Sequence, residues 1–277
     1  MSIRSFTSFQ EFEEAAKGIG VDVDLNALLR LDITFIEPYP NYVVINLRDY
    51  GNIPNNMLVL TPKASLLYSD KQFTDRDYSI YKQALRRKYG EATVLSFLAL
   101  SEVLKSYSAK FSEIDKQIDR FGVNSSLEKI EETARELRMF ADRMEDFVNL
   151  LISLEDRKVD FIHTKVLAYD FDVLLAKSRH LLDRSRNHLW ELRDIREEMD
   201  VKITRKLNKN IEKLTVIMAF LTVVSVAISI PNTVGTFYGI PTLAGMIGTT
   251  FMLTTLAASL IVALVWGKYY WDKVLKE

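Results

Sequence analysis

The sequence predicts an α+β soluble domain with long helices, followed by a very long stalk helix and two transmembrane helices, in a chain that works as a homo-oligomer. Three observations predict it. No Asp, Glu, Lys or Arg occurs from 214 to 267, whereas charge is dense before that span. Between Pro62 and Pro231 there is no proline, and from 75 to 230 glycine occurs only at Gly90 and Gly122. Short β-rich runs punctuated by proline are confined to roughly the first quarter of the chain.

Composition narrows the function classes. The 277 residues carry 36 Lys and Arg against 37 Asp and Glu, so no global charge points to nucleic acid. The chain has no cysteine, which excludes disulfides, thiolate metal sites and cysteine nucleophiles. The first residues, MSIRSFTSFQEFEEAAKG, lack an apolar core and contain Glu11, Glu13 and Glu14, so no secretory signal is expected. There is no glycine-rich phosphate loop and no credible Ser/His/Asp order, so neither an enzyme nor an organic cofactor is expected.

Residues 1–75 read as the αβ part of the soluble domain. FQEFEEAAKGIG is a short helix stopped by glycine, and strands are expected at 33–36, at 42–47 and on either side of Pro62. Residues 76–160 are its helical part: two long amphipathic segments, joined near FGVNSS, repeat apolar residues at intervals of three and four. Residues 161–237 read as one helix that nothing stops before the membrane, with a near-heptad series including Phe171, Leu174, Leu181, Leu189, Leu192, Ile203 and Leu207. Its charges, Glu191 to Glu198 among them, read as a solvated face of mixed sign.

A charge-free run this long covers a bilayer twice at roughly 20 residues per crossing. The spans are 214–237 and 243–266, joined by an extracytoplasmic turn at 238–242, and 243–277 comprises the second span and a basic tail. Lys202, Arg205, Lys206, Lys209 and Lys213 precede the first span, Lys268, Lys273 and Lys276 follow the second, and the turn has no charge. The positive-inside rule puts both termini in the cytoplasm of a multi-pass protein of the cell membrane. Trp266, Tyr269, Tyr270 and Trp271 suit an aromatic belt at the inner interface. Membrane lipids are therefore expected partners.

Polar residues in the first span are ordered. Thr215, Thr222, Ser225, Ser229, Asn232 and Thr236, with Met218 filling one gap, fall at alternating spacings of three and four, and the series continues backward through Ile211, Asn208 and Thr204. Two readings compete. The hydroxyls bond their own helix and allow close helix packing, or several copies of the helix surround an axis and present this face to water. The second requires a homo-oligomer, because one hairpin encloses no pore. With no carboxylate in the spans or turn, such a pore offers hydroxyl and amide oxygens to the waters around a cation. That suits Mg²⁺, which dehydrates reluctantly.

Two C-terminal spans, a long preceding helix, an uncharged turn and the segment FYGIP together resemble the CorA family of divalent-cation transporters. The resemblance covers roughly 160 to the end. It implies a pentameric funnel, a first span lining the pore, Mg²⁺ as transported and regulatory ion, and a Tyr-Gly-Met-Asn motif at the pore's outer end. Tyr238 and Gly239 match that motif, while Ile240 and Pro241 stand where Met and Asn are usual. Proline offers neither a polar side chain nor an N–H, so either the entry filter is different here or the job has moved to Asn232 and Thr236 on the stripe. Pro231 is expected to loosen the helix beside Asn232 and free a carbonyl.

The remaining candidates are weaker. His163, His180 and His188 have no tight metal spacing and read as structural or exposed. Glu155, Asp156 and Asp160, or Asp170 and Asp172, read first as solvated acids; the resemblance also suggests cation-sensing sites between subunits. The readings of another class or ion are a membrane-anchored coiled-coil scaffold without transport and a transporter preferring Zn²⁺ or Co²⁺.

Overall fold

The computed structural model describes residues 2–51, 53, 55–121, 126–156, 159, 161–239 and 248–274. The chain divides into two compact units, Met1–Glu197 and Glu198–Glu277.

In the first unit, β1 (Ser2–Phe6), β2 (Phe35–Pro38), β3 (Val43–Arg48), β4 (Asn55–Leu60) and β5 (Ala64–Tyr68) form one sheet in the order β1-β5-β4-β3-β2. β2 to β5 make an antiparallel meander, and β1 joins β5 in parallel. α1 (Phe9–Gly18) and α2 (Leu25–Leu29) follow β1, and Phe12, Ala16, Val21 and Leu25 pack with Val44, Met57, Val59 and Leu66 of the sheet. The alternate residues Ile45, Leu47, Leu58, Leu60 and Leu67 point to the other face and are buried as well. A sheet covered on both faces reads as continuous apolar runs such as VVINL.

The strands around Pro62 are as expected, and the two before them are shifted by one or two residues toward the C-terminus. Pro38 ends β2 instead of breaking the chain before it, because β2 is an edge strand where a missing N–H removes no ladder bond. β1 was not expected: its five residues, SIRSF, lack flanking turn signals and pair only with a strand sixty residues away.

Two short helices, α3 (Asp75–Ser79) and α4 (Lys82–Leu85), lead to α5 (Gly90–Ile118), followed by α6 (Leu127–Asp156). α5 starts where only glycine fits: a Cβ on Gly90 would lie 1.9 Å from the Ala84 carbonyl oxygen. Tyr107 of α5 packs among Tyr50, Phe140 and Phe147. Asp49, at the end of β3, ties the sheet to α5: it accepts from Ser106 Oγ, the amides of Tyr50 and Gly51, and Asn56 Nδ2. Burial pushes its carboxyl above the usual range, and these donors pull the other way.

A 3₁₀ turn at Thr164–Leu167 precedes α7, which is continuous from Ala168 to Tyr238 and contributes to both units. Within the first unit its residues Phe171, Leu174, Leu181 and Leu192 are buried. Ion pairs with α5 and α6 flank them: Arg184 with Asp115, Arg186 with Glu145 and Arg196 with Glu131. His188 is held between Asp115 and Glu191, with each ring nitrogen 2.8 Å from a carboxylate.

The second unit pairs the end of α7 with α8 (Thr249–Val274). Two helices, the one ending at Tyr238 and the one covering 249–269, are long and apolar enough to cross a membrane. The start expected for the second span, 243–247, lies outside the described residues.

Candidate functional site

The site is built on one helix by its period alone. At 3.6 residues per turn, alternating steps of three and four return to nearly the same face. Asn208, Ile211, Thr215, Met218, Thr222, Ser225, Ser229, Asn232 and Thr236 therefore share a face of α7, and all nine are exposed in the single chain. Pro231 sits inside the helix without ending it. Having no N–H, it leaves out the bond that position would make to the Ala227 carbonyl.

α8 covers a different face. Val223, Ala227, Ile230, Val234 and Tyr238 are partly covered, and at 100° per residue they centre about 150° away from the stripe. The opposing row on α8 is Met252, Thr255, Ser259, Ala263 and Gly267, of which Ala263 and Gly267 are buried. Small residues four apart let two backbones approach closely. A Cβ on Gly267 would lie 3.1 Å from Val223 Cγ1. The sequence reading missed this row, although its signal is plain: Thr255, Ser259, Ala263 and Gly267 at strict intervals of four.

The hydroxyls have a defined direction. Thr215 donates to the Ile211 carbonyl at 2.9 Å, Thr222 to Met218 at 2.8 Å and Thr236 to Asn232 at 2.8 Å. A hydroxyl has one donor and two acceptor lone pairs. Bonding back to the helix uses the donor and leaves the oxygen as an acceptor on the exposed face. The two readings of these hydroxyls are thus compatible, since bonding to the helix produces the acceptor surface.

Tyr238 is not on this face. Its hydroxyl lies 2.6 Å from Thr255 Oγ1, so it joins α7 to α8. Gly239 follows as the helix ends, its N–H shared between the carbonyls of Gly235 and Thr236. Ile240 and Pro241 lie outside the described residues, as do Asp160 and the side chain of Asp156. Among the described residues no three His, Asp or Glu side chains gather where a metal would bind. His163 and His180 are exposed, and the His163 amide donates to Thr93 Oγ1. Glu155 and Asp172 are exposed.

An α+β unit followed by two helices long and apolar enough to cross a membrane defines a class: a globular domain carried on a candidate membrane hairpin. The profile of the CorA-like Mg²⁺ transporter protein family matches residues 44–269. The chain belongs to that family, whose members are channels or transporters and not enzymes. Solved structures agree on the fold. The CorA magnesium transporter of Methanocaldococcus jannaschii is 17% identical with a TM-score of 0.53, over 95% of this chain and 88% of that one. Full-length CmaX is 11% identical with a TM-score of 0.63, over 98% and 87%. The cytoplasmic domain of ZntB from Vibrio parahaemolyticus is 10% identical with a TM-score of 0.57, over 73% and 88%. No match is found among curated proteins.

Proposed function

We infer that the chain forms a homopentameric channel-like transporter for hydrated divalent cations, with Mg²⁺ as the leading substrate and the stripe from Asn208 to Thr236 lining the pore. One observation carries this reading: the stripe stays open while α8 packs on another face, and its threonine oxygens point outward as acceptors. Acceptors without formal charge hold the water shell of a cation without stripping it, which fits an ion that keeps its waters. Asn232 and Thr236, near the end of α7, take the place of the motif Asn that Pro241 replaces. The cell membrane is the proposed location, with both termini cytoplasmic on the distribution of Lys and Arg. The same ion, sensed between subunits of the cytosolic helices, would regulate conduction.

The test is uptake of Mg²⁺, Co²⁺ and Zn²⁺ into liposomes holding the purified protein. Mg²⁺ uptake that falls at least tenfold in Asn232→Leu supports the reading. No uptake of any of the three ions overturns it in favour of a scaffold, and a detergent mass of a monomer or dimer overturns the pentamer. A Zn²⁺ preference is the second reading, favoured by the likeness of the soluble unit to a ZntB domain, and the same ion panel decides between them.

A further inference from the structure

The charges of α7 change character just before the apolar run. Within the first unit four of its cations, Arg184, Arg186, Arg193 and Arg196, each pair with a carboxylate, while Lys177 and Arg179 make no ion pair with a described residue. In the second unit Lys202 still pairs with Glu198 at 2.6 Å. After Lys202 the pairing stops. Arg205, Lys206, Lys209 and Lys213 are exposed and make no ion pair with any described residue. Glu212 is the only acid between Arg205 and the end of the charge-free run, and it is also without an ion pair among the described residues.

These cations share one side of the helix. At 100° per residue, Arg205, Lys206, Lys209 and Lys213 fall within an arc of about 100°. Its centre is roughly 145° from Thr204, Asn208, Ile211 and Thr215, which continue the stripe downward. The arc therefore lies on the side that α8 covers higher up. Around an axis lined by the stripe, these four cations would face away from the axis. Lys268, exposed and next to the buried Gly267, adds a cation where α8 leaves its apolar stretch, beside exposed Tyr269.

Unpaired exposed cations normally gain little by clustering, since like charges on neighbouring turns repel. Placed at the end of an apolar run and turned outward, they meet a different environment. Long Lys and Arg side chains there reach the polar layer of a bilayer, where an anionic surface attracts each of them.

We propose that Arg205, Lys206, Lys209 and Lys213, with Lys268, form a docking face for anionic phospholipid headgroups of the cytoplasmic leaflet. The face anchors the base of the hairpin outside the ion path and leaves the stripe free of fixed positive charge. This rests on the reading that the two helices cross a membrane, and the test separates the two.

The full-length protein is placed in nanodiscs of phosphatidylcholine with a minor share of phosphatidylglycerol, and protein-retained lipid is counted by mass spectrometry after mild detergent extraction. The expected result is several-fold enrichment of phosphatidylglycerol, lost on raising salt from 0.1 to 0.5 M. The triple variant Lys206→Gln, Lys209→Gln, Lys213→Gln should abolish most of the enrichment, bringing the retained lipid back toward its share in the bilayer. The triple Lys→Arg variant should keep it, which separates charge from misfolding. Glycerol phosphate at millimolar concentration should not displace the lipid. Equal retention of the two lipids, equal enrichment in the Gln variant, or displacement by glycerol phosphate overturns the proposal. Protein that alkaline carbonate strips from the bilayer overturns the membrane reading itself, whereas inserted protein without lipid preference overturns only the docking face.

Discussion

The hydroxyl of Tyr238 lies 2.6 Å from that of Thr255, and this bond closes the hairpin at the last residue of α7. It draws Tyr238 onto the α8 side and leaves the neighbouring Thr236 on the open face. Hydrogen bonds between apolar helices are modest, averaging roughly 0.6 kcal/mol in double-mutant cycles. Tyr238→Phe and Thr255→Val should each lower the unfolding midpoint in detergent by a degree or two. The double variant should fall no further than the larger single effect. Full additivity would mean the two hydroxyls do not act as a pair.

Gly267 makes a sharper prediction. Its absent side chain lets Val223 approach, and a Cβ there would lie at 3.1 Å, where the neighbour must give way. Gly267→Ala should be tolerated with a small loss. Gly267→Leu should splay the hairpin and destabilise it by roughly 1–3 kcal/mol, as overpacking does. Val223→Ala should partly restore the Leu variant, because it removes the atom in the way. A Leu variant as stable as the wild type would show that the helices do not pack through this row.

The architecture was legible where a single segment decides it. The period of α5 and α6, the charge-free run and the stripe are all properties of neighbouring residues, and the structure keeps them on the expected elements. Features decided by distant partners were not. β1 becomes a strand because β5 offers it a free edge, and Ser2 faces Ala64 across the sequence. Asp49 finds Ser106 only after the sheet has packed on α5. In the hairpin, the polar stripe drew attention to α7, while its packing surface is the row of small residues on α8. Small residues carry little hydropathy signal and show their role only once the partner helix is in place.

Gly90 tests the junction between sheet and helices. A Cβ there would sit 1.9 Å from the Ala84 carbonyl oxygen and 2.8 Å from its carbon, both backbone atoms that cannot swing aside. Gly90→Ala should raise helix propensity by about 1 kcal/mol, yet the clash should dominate and cost at least about 3 kcal/mol in net stability. The check is denaturant unfolding followed by the fluorescence of the first unit. A neutral or stabilised variant would mean that the α4–α5 junction is looser than this contact requires.

Tyr107 separates burial from hydrogen bonding. Its side chain is fully buried among Tyr50, Phe140 and Phe147, and its hydroxyl oxygen has no hydrogen-bond partner among the described residues. Burial pushes its phenol far above the usual range, and Arg143 and Arg48 offset this only in part. A buried polar group without a partner costs roughly 1–3 kcal/mol. Tyr107→Phe keeps the ring contacts and removes that cost, so it should be neutral or stabilising by about 1 kcal/mol in thermal unfolding. A loss of more than about 1 kcal/mol would mean that the hydroxyl has a partner in solution.

Thr222 carries the last prediction, since it lies midway along the stripe and donates to the Met218 carbonyl at 2.8 Å. In the proposed pore its oxygen accepts from the water around a passing cation. Thr222→Val keeps the shape and removes the acceptor, while Thr222→Ser keeps the acceptor and the bond to Met218. A neutral hydrogen bond is worth about 0.5–1.5 kcal/mol, and an oligomer loses one in every copy at once. Mg²⁺ uptake into liposomes should fall at least tenfold in the Val variant and stay within about threefold of wild type in the Ser variant. If both variants transport alike, the stripe packs against protein and the ion passes elsewhere. If both fail alike while the oligomer stays intact, the threonine methyl shapes the path and its oxygen does not.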